Sequence, residues 1–374
     1  MKKTLLFAVN SKQKRFFSKI ARHLSDRTAL CYSKRIVFPS LRALPMLAKA
    51  DLSAPIRLKT DDFVAKRGYP ALRPLVRLWA TLLAYYNFMR YSGVIDGRYC
   101  NIMLWNGTLF RQAIACEAAR LQGIGCIYVE TGLLPGRITV DPKGVNFYNS
   151  VPRERAFYEN YHNAKPLPRT LIPRNPKNAA KFASERKVTL PRRYIFIPFQ
   201  VDYDTQILVH SPWIRDMEML FGIIERISQK IEDLSFVFKE HPSSIKNYPQ
   251  LHARAEGNAR ILFANGHTTQ SLIEGSEGVI TVNSTVGIES LLFGKRVIVL
   301  GNAFYEIEGI TKSARSTEAL QSILAQRDRW QPDRRLIENF LKYLYYDYQI
   351  EGTFEEENPA QIARIAELLD SGNQ

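Results

Sequence analysis

Residues 279–301 read VITVNSTVGIESLLFGKRVIVLG, and this stretch decides the fold. Val279–Val282 is a short apolar run suited to a buried strand, and Arg296–Leu300 is a second. Between them, Asn283–Ser284–Thr285 is a polar turn and Val286–Phe293 has the length of a short helix. Strand, turn, helix and strand make a βαβ unit, the building block of a parallel sheet. Ser284 or Thr285 falls where a helix N-cap belongs, so hydroxyls and first-turn N–H groups point at one spot beyond the sheet edge. That spot suits an anion such as a nucleotide phosphate. The plainer alternative is that Ser284 only caps its helix.

Outward from this unit the same alternation repeats. Upstream, Tyr194–Phe199 predicts a strand that runs into Gln200–Val201–Asp202–Tyr203–Asp204, followed by a helix from about Ile214 to Lys230. Ser235–Lys239 predicts the next strand and ends in Glu240–His241–Pro242. In the first half, Lys3–Val9, Ala29–Ser33, Asn101–Trp105 and Gly125–Val129 predict strands, with helices over Ser11–Leu24 and about Leu109–Leu121. Asn106–Gly107 and Glu130 stand at strand ends, where ligands collect in parallel sheets. The segment from Leu41 to Asp61 has no clear period. Residues 131–153, rich in Gly and Pro, are too long for a tight connection and are expected to form a functional loop. From Asn163 to Arg193 the chain turns Pro-, Asn- and basic-rich (KPLPRTLIPRNPKN), which predicts a linker. Thr317–Ala325, Asp333–Leu344 and Pro359–Asp370 are helical by pattern.

These elements predict an α/β, GT-B-like fold of two Rossmann-type domains facing a central cleft, with C-terminal helices. The expected division is 1–180 for the first domain, including the linker from about 163, and 181–374 for the second with the terminal helices. Paired-domain binding proteins share this outline, so the fold does not by itself assign a function.

Charge and composition narrow the class. Residues 1–180 carry 30 Lys and Arg against 10 Asp and Glu, a net +20, while residues 181–374 carry 22 against 26, a net −4. Such a basic half attracts nucleic acid, anionic lipid or an anionic substrate. No nucleic-acid reader motif accompanies it, so no nucleic-acid partner is expected. Cys31, Cys100, Cys116 and Cys126 lack CxxC or zinc-ligand spacing and read as buried or free thiols of a reducing compartment. The opening MKKTLLFAVNSKQKR has too short an apolar run for a signal peptide and reads as the first strand of a cytoplasmic protein. Residues 72–91, LRPLVRLWATLLAYYNFMRY, have helical spacing with Arg73, Arg77 and Arg90 beside Trp79, Tyr85, Tyr86 and Phe88. That pattern fits either a helix lying on an anionic membrane surface or an ordinary core helix; its uncharged centre is too short to span a bilayer.

The candidate chemistry sits at strand ends. Lys239 and His241 can meet the charge of a leaving phosphate, with Ser284 and Thr285 completing the cradle. Glu289, one helical turn on, can accept from ribose hydroxyls. Asn106, Gly107, Gln200, Pro242 and Asn283, at corresponding sheet positions, join the expected substrate-binding set. Asp202 and Asp204 have DxD spacing, yet no further carboxylate or His stands beside them to complete a metal shell, so no metal is expected. A carboxylate here has a second use, attacking an anomeric carbon while another carboxylate handles the acceptor proton. Glu130 is the candidate for the second role, with Asp141 in reserve.

ETGLLPGRITVDPKGVNFYNSVPR at Glu130–Arg153, PFQVDYDTQI at Pro198–Ile207, KEHP at Lys239–Pro242 and NSTVGIESLLFGKRVIVLG at Asn283–Gly301 together resemble the capsule polysaccharide synthesis/export family of Gram-negative bacteria. The resemblance covers roughly Gly93 to Tyr305, and the length is similar to that of its single-module members. It implies a retaining β-Kdo transferase that uses CMP-β-Kdo as donor and needs neither cofactor nor metal. It also implies His241 and Pro242 as the CMP-binding motif, Ser284 with Thr285 as the phosphate-binding turn, and Glu130 as the acidic residue facing the acceptor. Asp204 best matches the nucleophile, Asp202 remaining open. The implied acceptor is an anionic glycolipid, such as lyso-phosphatidylglycerol, or a Kdo-terminated glycan. The implied location is the cytoplasmic face of the inner membrane, in contact with a capsule assembly or export complex. Two other readings stay open: a transferase of the same architecture with another nucleotide sugar, and a non-catalytic polysaccharide- or glycolipid-binding component of export.

Overall fold

A computed structural model describes residues 2–36, 38–168, 179–182 and 184–371. The chain forms two α/β units, residues 1–150 with 348–374, and residues 151–347.

The first unit begins with β1 (Lys3–Ala8), α1 (Ser11–His23) and β2 (Thr28–Tyr32), then α2 (Leu44–Leu47), α3 (Ser53–Arg67), α4 (Arg73–Ser92), β3 (Tyr99–Trp105), α5 (Phe110–Arg120), β4 (Gly125–Thr131) and β5 (Arg137–Asp141). β1 pairs in parallel with both β2 and β3, and β3 with β4. Two apolar layers cover the sheet. One joins Leu5 and Phe7 to Ala80, Ala84 and Phe88 of α4, and the other joins Leu6 and Ala8 to Phe16 and Phe17 of α1. This opposite-face alternation is what a strand buried on both sides requires. Local signals set the helix ends: Asn10 accepts from Gln13 N at the start of α1, and Gly68, at φ 71°, closes α3.

The second unit runs α6 (Arg155–Asn160), β6 (Tyr194–Pro198), α7 (Thr205–Leu208), α8 (Met217–Ser228), β7 (Ser235–Lys239), α9 (Pro249–Glu256), β8 (Ile261–Phe263), α10 (Thr269–Gly275), β9 (Gly278–Thr281), α11 (Val286–Leu292), β10 (Arg296–Val299), β11 (Lys312–Ser313), α12 (Thr317–Ala325) and α13 (Arg334–Lys342). Its sheet is ordered β11-β10-β9-β6-β7-β8, and the pairs are parallel. All five residues of β6 are buried, as befits a central strand. The chain leaves β6 toward β7 on one side and returns to β9 on the other. A topological switch point therefore lies at the C-terminal ends of β6 and β9, the usual ligand position in such sheets.

The chain then returns to the first unit through β12 (Ile350–Glu351) and α14 (Pro359–Ser371). β12 adds antiparallel to β5, giving the first sheet the order β12-β5-β4-β3-β1-β2. This differs from the division at 180/181: the last helix belongs with the N-terminal sheet, and its unit resumes at Tyr348. Apolar docking accounts for the return, because Ile350, Ile365 and Leu369 are buried in the layer around Phe16 and Phe17. Charge reinforces it. Residues 348–374 carry six acidic side chains against one basic, net −5, which reduces the +16 of residues 1–150 to +11 for the unit and leaves +5 for residues 151–347. Arg22 pairs with Glu357, and Arg27 with Asp370.

Two further expectations change. The stretch without clear period, 41–61, contains α2 and the first nine residues of α3, and the loop expected at 131–153 folds back as β5, antiparallel to β4. Asp141 ends β5 completely buried, accepting from the N–H groups of Lys143, Gly144 and Ser150 and from the hydroxyls of Ser150 and Tyr348. It is a structural clamp, and its reserve role as an acceptor base is withdrawn. The linker expected at 163–193 falls in part on 169–178 and 183, outside the described residues. The four cysteines are free thiols.

Candidate functional site

In the second unit the sequence-selected residues meet at the C-terminal ends of β6, β7 and β9, but they divide into two groups. One group holds the scaffold. Gln200 donates from Nε2 to Asn283 Oδ1 (2.9 Å), and its Oε1 accepts from Asn283 N (3.1 Å) and Thr281 Oγ1 (3.2 Å). Asn283 Nδ2 in turn donates to the carbonyls of Gln206 and His210. Gln200 and Asn283 are both buried, so their amides latch the two switch-point loops together. Expected as substrate-binding groups, they have their polar atoms spent within the fold.

Asp202 belongs to the same group. It is 5% exposed and accepts from Met217 N (2.9 Å), Lys246 Nζ (2.7 Å) and Tyr248 OH (3.3 Å). Asp204, two residues on, is exposed and caps α7 by accepting from Gln206 N (2.9 Å). The two carboxylates of the DxD spacing thus point to different partners, and among the described residues no three His, Cys, Asp or Glu side chains gather as a metal would need.

The second group faces outward. The negative charge of Asp204 acts on both His241 and His210. Burial lowers the proton affinity of His241 below the ordinary imidazole value, against the pull of Asp204 and with a smaller push from Lys181. Its Nδ1 accepts from Ser243 N (3.1 Å), which leaves the proton of the neutral ring on Nε2. Neutral His241 is therefore a hydrogen-bond donor at Nε2. Pro242 follows it in the turn. Lys239 is half-buried; burial depresses its proton affinity, and its ammonium donates to Asn265 O (2.5 Å) above the Phe182 ring.

At the βαβ turn, Ser284 Oγ accepts from Val286 N (3.2 Å), and Thr285 occupies the cap position with helical dihedrals. Ser284, one residue before the cap, takes up the first N–H of the helix while remaining half-buried at the sheet edge. Tyr305 OH donates to Ser284 O (2.6 Å) beneath Gly287, where a Cβ would lie 2.6 Å from that hydroxyl oxygen. The glycine lets the helix start close to Tyr305. Glu289 stands half-buried in the first turn of α11.

Sequence reading missed two features here. His210 is buried, its ring disfavoured as a cation by burial and favoured by Asp204; nothing in ILVHSPW marks it. Glu240, inside KEHP, is buried and accepts from His252 Nε2 (2.7 Å) and Asn265 Nδ2 (3.1 Å). With Lys181, Phe182 and Tyr248, Glu240 and His252 line an open hollow of about 760 Å³. His252, the partner of Glu240, lies on α9, twelve positions along the chain.

In the first unit, Asn106 and Glu130 come together at the ends of β3 and β4. Asn106 Nδ2 donates to Glu130 Oε2 (2.7 Å), and Thr131 N donates to Oε1 (2.8 Å). Burial raises the Glu130 pKa above the ordinary carboxylate value despite these bonds. Such a carboxyl can take and return a proton nearer neutrality than a solvated one. Asn106 sits at φ 61° and Gly107 at φ 83°, and a Cβ on Gly107 would fall 2.3 Å from the Tyr128 ring. Gly107 therefore shapes the turn that delivers Asn106 to Glu130.

Residues 173–354 match the family described as capsule polysaccharide biosynthesis protein. The chain is similar to Protein FixF of Sinorhizobium fredii, with 36% identity over 72% of this chain and 65% of that protein, so it spans just under two thirds of that relative's length. It is also similar to the capsule polysaccharide export protein KpsS of Escherichia coli, at 27% identity over 63% of this chain and 74% of the relative. Among solved structures, KpsC of Thermosulfurimonas dismutans, a β-Kdo 2,7 transferase, aligns over 99% of both chains with a TM-score of 0.51 and 13% identity, a likeness of fold. The two Rossmann-type units are those of a GT-B-like α/β protein. Residues 173–354, which include Asp204, His241 and Ser284, carry the similarity to the capsule polysaccharide biosynthesis family.

Proposed function

We propose that the protein is a retaining β-Kdo transferase that takes CMP-β-Kdo as donor and adds Kdo to an anionic lipid or Kdo-terminated acceptor. The observation that carries this reading is exposed Asp204, beyond β6, whose charge acts on His241, beyond β7, while His241 Nδ1 accepts from Ser243 N and leaves Nε2–H of the neutral ring as a donor. In the first step an Asp204 carboxylate oxygen bonds to the anomeric carbon as its bond to the CMP phosphate oxygen breaks. His241 Nε2–H, with the turn at Ser284 and Thr285, meets the charge that develops on that phosphate. In the second step the acceptor hydroxyl oxygen attacks the same carbon, Asp204 departs as carboxylate, and Glu130 receives the hydroxyl proton. Two inversions retain configuration. No metal takes part in this reading, because Asp202 is committed to Lys246 and cannot chelate with Asp204. An anionic lipid acceptor sets the work at the cytoplasmic face of the inner membrane, beside the machinery that assembles or exports capsule.

The test is incubation with CMP-Kdo generated in place and a panel of lipid and Kdo-terminated acceptors, followed by mass spectrometry. Transfer should occur in the wild type and vanish in Asp204→Ala and Glu130→Ala. Full transfer by both variants, or turnover of a different nucleotide sugar in place of CMP-Kdo, would overturn the assignment.

A further inference from the structure

α4 is apolar on two opposite faces. Val76, Ala80, Ala84, Phe88 and Tyr91 are buried, the last four in the layer that covers the first sheet. Leu75, Leu78, Trp79, Leu82 and Tyr86 follow the spacing i, i+3, i+4, i+7, i+11 on the other side and are 43–67% exposed. This second stripe runs about 16 Å along the helix at 1.5 Å per residue. Leu72 and Tyr69, at its N-terminal end, are exposed as well. A contiguous exposed apolar stripe of this kind marks an interaction surface.

Charge identifies the occupant. Residues 63–95 contain no acidic side chain. Arg57, Lys66 and Arg67 of α3 or its end, and Arg73 and Arg77 of α4, are all exposed around the stripe. The nearby acids Asp61 and Asp62 are paired with Arg73 and Lys66. Lys59 and Arg90 lie over the Trp79 and Tyr86 rings, so cations flank the two aromatic side chains best suited to a lipid headgroup zone. A second copy docked here by a two-fold axis would set these cations against one another. No helix among the described residues is long and apolar enough to cross a membrane.

We propose that the exposed stripe of α4 lies flat on an anionic lipid bilayer, with Leu75, Leu78, Trp79 and Leu82 entering the acyl boundary and the surrounding Arg and Lys meeting lipid phosphates. This deepens the membrane-face part of the proposed function by naming the surface that makes contact, and its test reads binding without sugar transfer. The full chain is sedimented with phosphatidylcholine vesicles with or without phosphatidylglycerol, over a salt series. Wild type should bind the anionic vesicles, less at high salt, and Trp emission should shift to the blue and be quenched by brominated acyl chains. Leu78→Glu/Leu82→Glu should weaken binding by about tenfold or more, with cytidine monophosphate affinity unchanged. Trp79→Phe, which keeps the fold and an aromatic ring, should keep binding but lose the blue shift and most of the quenching. Three results would overturn the proposal: no wild-type binding to anionic vesicles, equal binding by the double Glu variant, or a wild-type dimer in ultracentrifugation that this variant dissociates. Failure of sugar transfer alone would touch only the proposed function.

Discussion

Replacing Gln200 with Leu separates a scaffold role from a substrate-binding role. The side chains are similar in size, so the change removes hydrogen bonds without opening a large cavity. Three are lost: Nε2 to Asn283 Oδ1, and those from Asn283 N and Thr281 Oγ1 to Oε1. At about 1 kcal/mol net each, their loss costs roughly 3 kcal/mol. The buried Asn283 N–H and Oδ1 are then left with desolvation unrecovered, which takes the total to about 3–5 kcal/mol. For a unit of this size each kcal/mol lowers the melting temperature by about 2–4 °C, so a fall of roughly 6–20 °C is expected. Asp204→Ala gives the opposite pattern. Asp204 is an exposed helix cap, so its loss should cost about 1 kcal/mol while abolishing transfer. Thermal and urea unfolding give the stabilities, and calorimetric titration with cytidine monophosphate gives the affinity. If Gln200→Leu lost less than about 1 kcal/mol yet no longer bound the nucleotide, Gln200 would be a donor contact and the latch argument would fail.

Other predictions follow the same geometry. Glu130 is raised by burial and partly held down by the Asn106 bond, so the acidic limb of kcat/KM should lie above the ordinary carboxylate range and move further up in Asn106→Ala; an unmoved limb refutes the role of Asn106. The same shift fixes a stability sign: with its folded pKa raised, Glu130 favours the folded state below the ordinary carboxylate pKa, and that contribution is lost as pH rises through the raised value. Gly107→Ala should lose about 1–3 kcal/mol, because it places a Cβ against Tyr128 at positive φ; an unchanged melting temperature would contradict the turn. Asp141→Ala removes the acceptor of five donors and should cost about 3–5 kcal/mol, freeing the segment from Tyr348 onward for limited proteolysis; a protease pattern like that of the wild type would show the clamp is dispensable.

Strand and helix positions were largely readable because their causes are local. The stretch 279–301 forms β9, α11 and β10 within a residue of its apolar runs, since side-chain period and turn chemistry operate over a few neighbours. The loop at 131–153 misled for a related reason. Its Gly and Pro content hid the run Arg137–Asp141, which forms a strand only because β4 and β12 pair with it on either side. The candidate residues do stand at strand ends, as their position after apolar runs indicated, and Asn106 is in direct contact with Glu130.

Sequence alone determined the alternation of strands and helices, the sheet-edge location of the polar motifs and the basic character of the N-terminal half. Tertiary structure decided which of those polar residues remain available. Asp202 is consumed by Lys246, 44 positions away, and Gln200 by Asn283, 83 positions away, while Asp204 keeps its exposure. It also decided that the acidic C-terminal segment returns to the basic first unit and that α4 shows solvent a second apolar face. The reason is the same in each case: a buried polar group must find its partner and an apolar face its cover, and the residues that supply them are neighbours in space but remote along the chain.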